Sequence, residues 1–211
     1  MKKQKTIYHL LVDKSGSMSD CIENTITGFN EQVAKIISLQ QEFREQEISM
    51  GLTTFNNEVC HHQFGGNPGD VEKLTTKTYR PGGGTALLDA IGQTVIGLKK
   101  QREDFSEGMD ASVVLVILTD GYENCSVEFN LGTIRKMISS LEATGQWTFS
   151  FIGATLDAAD VAEKMAIKRE NSYSFSKNEM KEEVWDKLSS SMQGYLNHKR
   201  NGTDNNNLFE K

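Results

Sequence analysis

The sequence predicts an α/β fold, with a doubly wound, mostly parallel sheet that carries helices on both faces. Short apolar runs alternate along the chain with segments whose apolar residues recur every three or four positions, the pattern of strands followed by amphipathic helices. One run, residues 112–118 (SVVLVIL), has no polar alternation, as expected for a central strand covered on both faces. Because successive strands are joined through helices, the crossover connections favour a parallel sheet.

The first half of the chain contains three predicted strands and two predicted helices. Residues 6–12 (TIYHLLV) form a strand that ends at a polar turn, and a helix is expected over about 20–41. The runs at 48–55 and 59–64 are separated by the Asn56-Asn57 pair and little else, so an antiparallel hairpin is expected. The glycine-rich segment 81–85 (PGGGT) breaks the chain, and the second long helix starts just after Thr85.

The second half continues the alternation. The strand at 112–118 ends at Thr119-Asp120-Gly121, and it is followed by a helix around 131–141, a strand at 147–152 and a shorter helix near 161–165. Residues 172–175 are expected to form an edge strand and residues 180–196 a terminal helix. We expect one domain over residues 1–200, followed by a disordered polar tail over 201–211.

Composition and charge exclude several functional classes. With 211 residues, 37% of them hydrophobic and 25% charged, the chain has the composition of a globular protein. The net charge of −6, with no compensating basic block, argues against nucleic acid as a ligand. The longest apolar runs are far shorter than the ~20 residues of a membrane-spanning helix, and we expect neither a membrane span nor an export signal. Three widely spaced cysteines indicate reduced thiols and a cytoplasmic location.

Polar oxygen-bearing side chains follow the predicted strands where ligands bind in such sheets, outside the carboxyl ends of the strands. Asp13, Ser15 and Ser17 alternate in the first loop, Thr85 follows three glycines, and Asp120 precedes Gly121. Carboxylate and hydroxyl oxygens, without thiolate or imidazole, suit Mg²⁺ or Mn²⁺. These five residues are the candidate metal ligands, and no general base accompanies them.

The three loops together resemble the metal-ion-dependent adhesion site of von Willebrand factor A (vWA) domains, over approximately residues 6–196. The resemblance implies Ser15, Ser17 and Thr85 as hydroxyl ligands, and Asp13 and Asp120 binding largely through water. It also implies a Rossmann-like, six-stranded sheet of order 3-2-1-4-5-6 whose third strand is an antiparallel edge strand. It further implies a non-enzymatic protein-binding module, similar to stand-alone bacterial vWA proteins, whose partner presents a Glu or Asp to the metal.

Two other functions remain open from the residues. One is a Mg²⁺-dependent phosphohydrolase with Asp13 as nucleophile, although haloacid-dehalogenase-like enzymes usually carry DxDx[TV] and Ser15 replaces the second aspartate here. The other is an interaction scaffold that works without metal, through a sheet edge or the terminal helix. The sequence identifies neither the partner nor the oligomeric state.

Three further polar residues lie close to the candidate ligands. Glu123 and Asn124, just after Asp120, are expected either to shape partner specificity or to belong to a solvated loop. Asp89 is expected to cap or charge the first turn of its own helix, with a supporting role at the site as the alternative.

Overall fold

The chain forms a six-stranded sheet with the strand order β3-β2-β1-β4-β5-β6. The computed structural model describes residues 3–104, 109–154, 157–177, 180, 184–203 and 207–209. The strands are β1 (Lys3–Asp13), β2 (Gln46–Phe55), β3 (Val59–Gly66), β4 (Met109–Thr119), β5 (Trp147–Gly153) and β6 (Ser172–Ser174). All neighbouring pairs are parallel except β2 with β3, so the predicted fold class, strand order and antiparallel edge strand are confirmed.

The helices are α1 (Ile22–Glu42), α2 (Leu87–Asp104), α3 (Leu131–Glu142), α4 (Ala158–Lys164) and α5 (Asp186–Arg200). A short 3₁₀ helix, Gly16–Cys21, joins β1 to α1. These bounds agree with the predicted elements to within a few residues, apart from the start of the terminal helix, because part of 178–183 lies outside the described residues.

The core consists of two apolar layers, one on each face of the sheet. Alternate β1 residues separate into them: Tyr8 and Leu10 face α1 and α5, whereas Ile7 and Leu11 face α2, α3 and α4. The strand β4 contributes to both layers, with its residues 113–118 at most 1% exposed. This burial on both faces explains why its sequence lacks alternation.

The C-terminal segment differs from the expected disordered tail where the structure describes it. Leu208 and Phe209 are buried, the Leu208 amide donates to Asn171 Oδ1 at 2.7 Å, and the Phe209 ring lies 6.1 Å from that of Tyr173. Burial of these two apolar side chains offsets the entropy of ordering a polar segment. Residues 204–206, 210 and 211 lie outside the described part of the chain.

The structure bears on two expectations, that the chain has no membrane-spanning helix and that its cysteines are reduced. Of the described helices, none combines the length and apolar character that crossing a bilayer requires. All three cysteines are free thiols, with Cys21 buried and Cys60 exposed. The cytoplasmic location remains a prediction.

Candidate functional site

The candidate ligands lie at the carboxyl ends of the two central strands. Asp13 is the last residue of β1, and Asp120 directly follows the last residue of β4. Because β1 and β4 are parallel, with Val12 paired to Leu118, both carboxylates emerge at the same edge of the sheet. Thr85 reaches this edge from the segment that precedes α2.

Asp13 is held rigidly in a buried position. Its Oδ1 accepts a hydrogen bond from the Ser15 amide at 2.6 Å, and its Oδ2 accepts one from the Thr119 hydroxyl at 2.6 Å. Burial raises the pKa of Asp13 to about 6; the hydrogen bonds from Thr119 and Ser15 lower it, while the negative charge of Asp120 raises it. A positive charge beside this pair would therefore be stabilising.

The serine hydroxyls connect the first loop to Asp120. The hydroxyls of Ser15 and Ser17 lie 3.1 Å apart, and Ser17 donates to Asp120 Oδ1 at 2.5 Å. The other oxygen, Asp120 Oδ2, is buried and lies 2.5 Å from the Lys177 ammonium. Ser15 and Asp120 are buried whereas Ser17 is exposed, so this group of oxygens opens to solvent on the Ser17 side.

Thr85 belongs to the same group of oxygens, which surrounds Gly121. A Cβ built on Gly121 would lie 2.9 Å from Thr85 Oγ1, 3.4 Å from Ser17 Oγ and 3.7 Å from Asp13 Oδ2. The loop after β1 and the segment before α2, distant in sequence, therefore present oxygen atoms to one small volume beside Gly121. A side chain at position 121 would fill part of it.

The glycine-rich segment is fixed against the first loop by its backbone. The Gly16 amide donates to the Gly83 carbonyl at 3.0 Å, and the Gly82 amide donates to the Lys14 carbonyl at 2.9 Å. Gly83 has φ +80°, and a Cβ there would overlap the Asn57 carboxamide, so glycine is required on both grounds. Asn57 in turn accepts from the Gly84 amide at 2.8 Å.

Asn124 and Glu123 have structural roles that a solvated loop would not have, while their effect on partner specificity stays a prediction. Asn124 is joined to Thr85 twice: its Oδ1 accepts from the Thr85 amide at 2.9 Å, and its amide donates to the Thr85 carbonyl at 3.1 Å. The Glu123 carboxylate accepts from the Leu88 amide at 2.9 Å, at the beginning of α2, and from the Ser126 amide at 2.7 Å. Neither residue belongs to a merely solvated loop, since both connect the loop after β4 to the Thr85 segment.

Asp89 lies in the first turn of α2, as predicted, but its carboxylate caps a different part of the chain. Its carboxylate accepts hydrogen bonds from the amides of Val127, Glu128 and Phe129, at 2.7 to 2.9 Å. These amides precede α3, nearly forty residues further along the chain. Asp89 therefore stabilises the loop that carries Asn124 and supports the site through it.

Lys177 is a residue of the site that sequence reasoning missed. It follows β6, its Nζ lies 2.5 Å from Asp120 Oδ2, and it donates to the Ser17 carbonyl at 2.8 Å. Burial lowers the pKa of Lys177, but its interactions with Asp120 outweigh this and leave the pKa raised. No motif includes this lysine, because only the folded chain brings the segment after β6 to the first loop.

The donor set fits a hard divalent cation. Two carboxylates and three hydroxyls are oxygen ligands of the kind that Mg²⁺ and Mn²⁺ prefer, and the buried Asp120 Oδ2 already has a cationic partner, the Lys177 ammonium. Within the described ranges, no cluster of three or more His, Cys, Asp or Glu side chains could hold a metal. The candidate site contains three hydroxyls and only two carboxylates, so it is not a cluster of that kind.

Comparisons with known proteins agree with this fold. The structure is similar to the PilB minor pilin from Streptococcus sanguinis (TM-score 0.61, 11% identity, covering 93% of this chain and 63% of the pilin). It is also similar to the vWF domain of the type V pili tip protein Mfa5 from Porphyromonas gingivalis (TM-score 0.62, 9% identity, 93% and 97% covered). A third similar structure is the ArnB paralog VWA2 from Sulfolobus acidocaldarius (TM-score 0.53, 14% identity, 89% and 46% covered).

At these identities the likeness concerns the fold alone, and the chain spans less than two thirds of the Streptococcus and Sulfolobus proteins. A search of curated proteins finds no significant match. The model of the von Willebrand factor type A domain matches residues 9–190, which is most of the chain and the range in which the five candidate ligands lie. The chain therefore belongs to the von Willebrand factor type A domain family.

Proposed function

We propose that this domain is a protein-binding module that depends on a divalent cation, Mg²⁺ or Mn²⁺, held by Asp13, Ser15, Ser17, Thr85 and Asp120. Domains of the family are commonly adhesion or protein-interaction modules. The observation that carries the proposal is the convergence of these oxygen atoms. Thr85, Ser17 and Asp13 present theirs around Gly121. Ser17 also lies beside the Ser15 hydroxyl and donates to Asp120, whose buried Oδ2 is paired with the Lys177 ammonium.

The charge balance of the site suits binding of a partner carboxylate. The hydroxyls of Ser15, Ser17 and Thr85 are neutral metal ligands, and the two aspartates carry the negative charge that holds the cation. When bound, the cation supplies an electrophilic position to which a Glu or Asp of the partner coordinates. The exposed Ser17 marks the side from which the partner reaches the site.

The geometry favours this function over a phosphohydrolase. A nucleophilic Asp13 would need a carboxylate oxygen free to attack, but each of its oxygens accepts a hydrogen bond and the side chain is fully buried. We expect no turnover of a generic phosphate ester in the presence of Mg²⁺. Turnover that disappears in Asp13→Asn would instead establish the enzyme.

The metal proposal is tested by titrating the purified domain with Mn²⁺ and Mg²⁺ in a calorimeter. Wild type should bind the cation saturably, and Asp120→Ala should not, with circular dichroism showing both folded. The matched control is Asp70→Ala, which removes an exposed carboxylate beyond the end of β3, where the sheet is antiparallel and the chain runs away from the site. This control should bind as wild type does.

Two outcomes contradict the proposal in different ways. Absence of cation binding up to millimolar concentration, or equal binding by Asp120→Ala, refutes the metal site. Cation binding combined with a partner complex that EDTA leaves intact refutes the metal-dependent interaction, and favours the scaffold that binds through its sheet edge or terminal helix.

A further inference from the structure

The Lys177 side chain brings a positive charge into the candidate metal site from outside the three loops. Its Nζ lies 2.5 Å from Asp120 Oδ2, accompanied by a 2.8 Å hydrogen bond to the Ser17 carbonyl and a 3.8 Å contact with Asp20 Oδ2. Lys177 is the one basic side chain in the described part of the chain that forms an ion pair with either site carboxylate. It therefore balances the charge of Asp120 in this structure.

The two partners have different surroundings. The Asp120 side chain is fully buried, whereas that of Lys177 is 32% exposed. A buried carboxylate without a counter-charge is strongly unfavourable, so Asp120 requires a cation at Oδ2. The lysine has a flexible side chain with a route to solvent, so it can leave Asp120 when another cation takes its place.

The ammonium and a divalent cation are mutually exclusive at this carboxylate. Both seek the same oxygen environment formed by Asp120 and the Ser17 region, and positive charges held within a few ångströms of each other repel strongly in a partly buried site. The backbone that leads to Lys177 is anchored near the site, because Phe175, two residues earlier, is buried and its amide donates to the Gly153 carbonyl at 3.0 Å.

We propose that the Lys177 ammonium is a built-in competitor of the divalent cation, which occupies Asp120 in the metal-free domain and must be displaced for the cation to bind. The inference rests on the cation site proposed above and adds its regulation. Its consequence is a cation affinity lower than the ligand set alone would provide. Conditions that draw Lys177 away from Asp120 would therefore activate the site.

The test compares Mn²⁺ affinities of wild type, Lys177→Met and Lys177→Gln after removal of bound metal with EDTA. Both variants should bind Mn²⁺ at least tenfold more tightly than wild type, and Lys177→Met/Asp120→Ala should not bind. The matched control is Lys100→Met, which removes an exposed lysine near the far end of α2, about 20 Å along the helix from its start at the site. This control should change Mn²⁺ affinity less than twofold.

Thermal unfolding gives a second readout that does not depend on binding measurements. In EDTA, Lys177→Met should unfold at a lower temperature than wild type, because Asp120 Oδ2 loses its ion pair. Saturating Mn²⁺ should raise the unfolding temperature of Lys177→Met by more than that of wild type. Lys177→Gln keeps a hydrogen-bond donor and provides the same comparison if Lys177→Met does not fold.

The outcomes separate this inference from the proposed function. Equal or weaker Mn²⁺ binding by both Lys177 variants, with wild type binding saturably, overturns the competition and leaves the cation site intact. No binding by wild type or by either lysine variant up to millimolar Mn²⁺ overturns both. Tighter binding by the lysine variants that Asp120→Ala abolishes supports both.

Discussion

Gly121→Ala is the substitution expected to disable the candidate site with little change to the fold. The added Cβ would lie 2.9 Å from Thr85 Oγ1, where ordinary van der Waals contact begins at 3.4 Å. It would also lie 3.4 Å from Ser17 Oγ. Gly121 does not have a positive φ, so alanine brings no backbone strain. The perturbation is therefore confined to the oxygen atoms around it.

The magnitude follows from these distances. Relieving the contact moves the Thr85 hydroxyl by about 0.5 Å, whereas metal–ligand distances tolerate about 0.2 Å. We expect Mn²⁺ affinity to fall at least tenfold. The cost of the close contact, about 1 kcal/mol, is largely offset by the gain of about 0.4 to 1 kcal/mol when a glycine is replaced by alanine in a compatible conformation. The free energy of unfolding should therefore change by less than about 1 kcal/mol.

Calorimetric Mn²⁺ titration and urea denaturation in EDTA measure the two quantities separately. The matched control is Gly82→Ala in the glycine-rich segment, where an added Cβ meets nothing within 4 Å. Gly82→Ala should keep wild-type affinity and stability. Wild-type Mn²⁺ affinity in folded Gly121→Ala would refute the reasoning, because it would show that the cation is not bound by the oxygen atoms around Gly121.

Three other predictions concern the support of the site and the core. Asn124→Ala removes a hydrogen bond that orients Thr85, and should weaken Mn²⁺ binding about tenfold in the same titration, while an unchanged affinity would contradict the positioning role. Gly28→Ala places a Cβ inside the Trp185 ring and should lower the free energy of unfolding by about 3 kcal/mol in urea denaturation; a change below 1 kcal/mol would contradict the close packing of α1 against that ring. Burial lowers the pKa of His9 to about 3. Between about pH 6.5 and pH 3 the His9 imidazole is therefore protonated in the unfolded chain but neutral in the folded one, and acidification through this range lowers the free energy of unfolding. Between pH 6.5 and 4.5 wild type should therefore lose about 2.5 kcal/mol more than His9→Gln, and equal losses would show that His9 does not titrate this way.

The elements of the fold were predictable because each depends on local pattern. The uninterrupted apolar run of β4 required burial on both faces, and the short connection after β2 required a hairpin. The positions of Asp13 and Asp120 at the ends of strands then followed from the parallel arrangement. Their proximity across the sheet depends on the pairing of β1 with β4, which only the resemblance to vWA domains implied.

The roles of Asp89 and Asn124 were not predictable from local pattern. An aspartate in the first turn of a helix usually acts on that helix, yet Asp89 binds three amides that lie 38 to 40 residues away in sequence. Asn124 likewise binds Thr85 across 39 residues. Hydrogen bonds between loops depend on how two crossovers meet in space, and neither residue type nor spacing encodes that meeting.

The sequence by itself determined the order of strands and helices, the edge at which the polar loops meet, and the oxygen character of the candidate site. Only the tertiary structure decided what balances the charge of that site and what covers the end of the core. Lys177 reaches Asp120 from 57 residues away, and Leu208 and Phe209 return to pack from a segment whose composition is polar. The periodicity of apolar residues predicts which side chains are buried. Charge pairing and the packing of a terminal segment depend instead on distances that exist only after the sheet has formed.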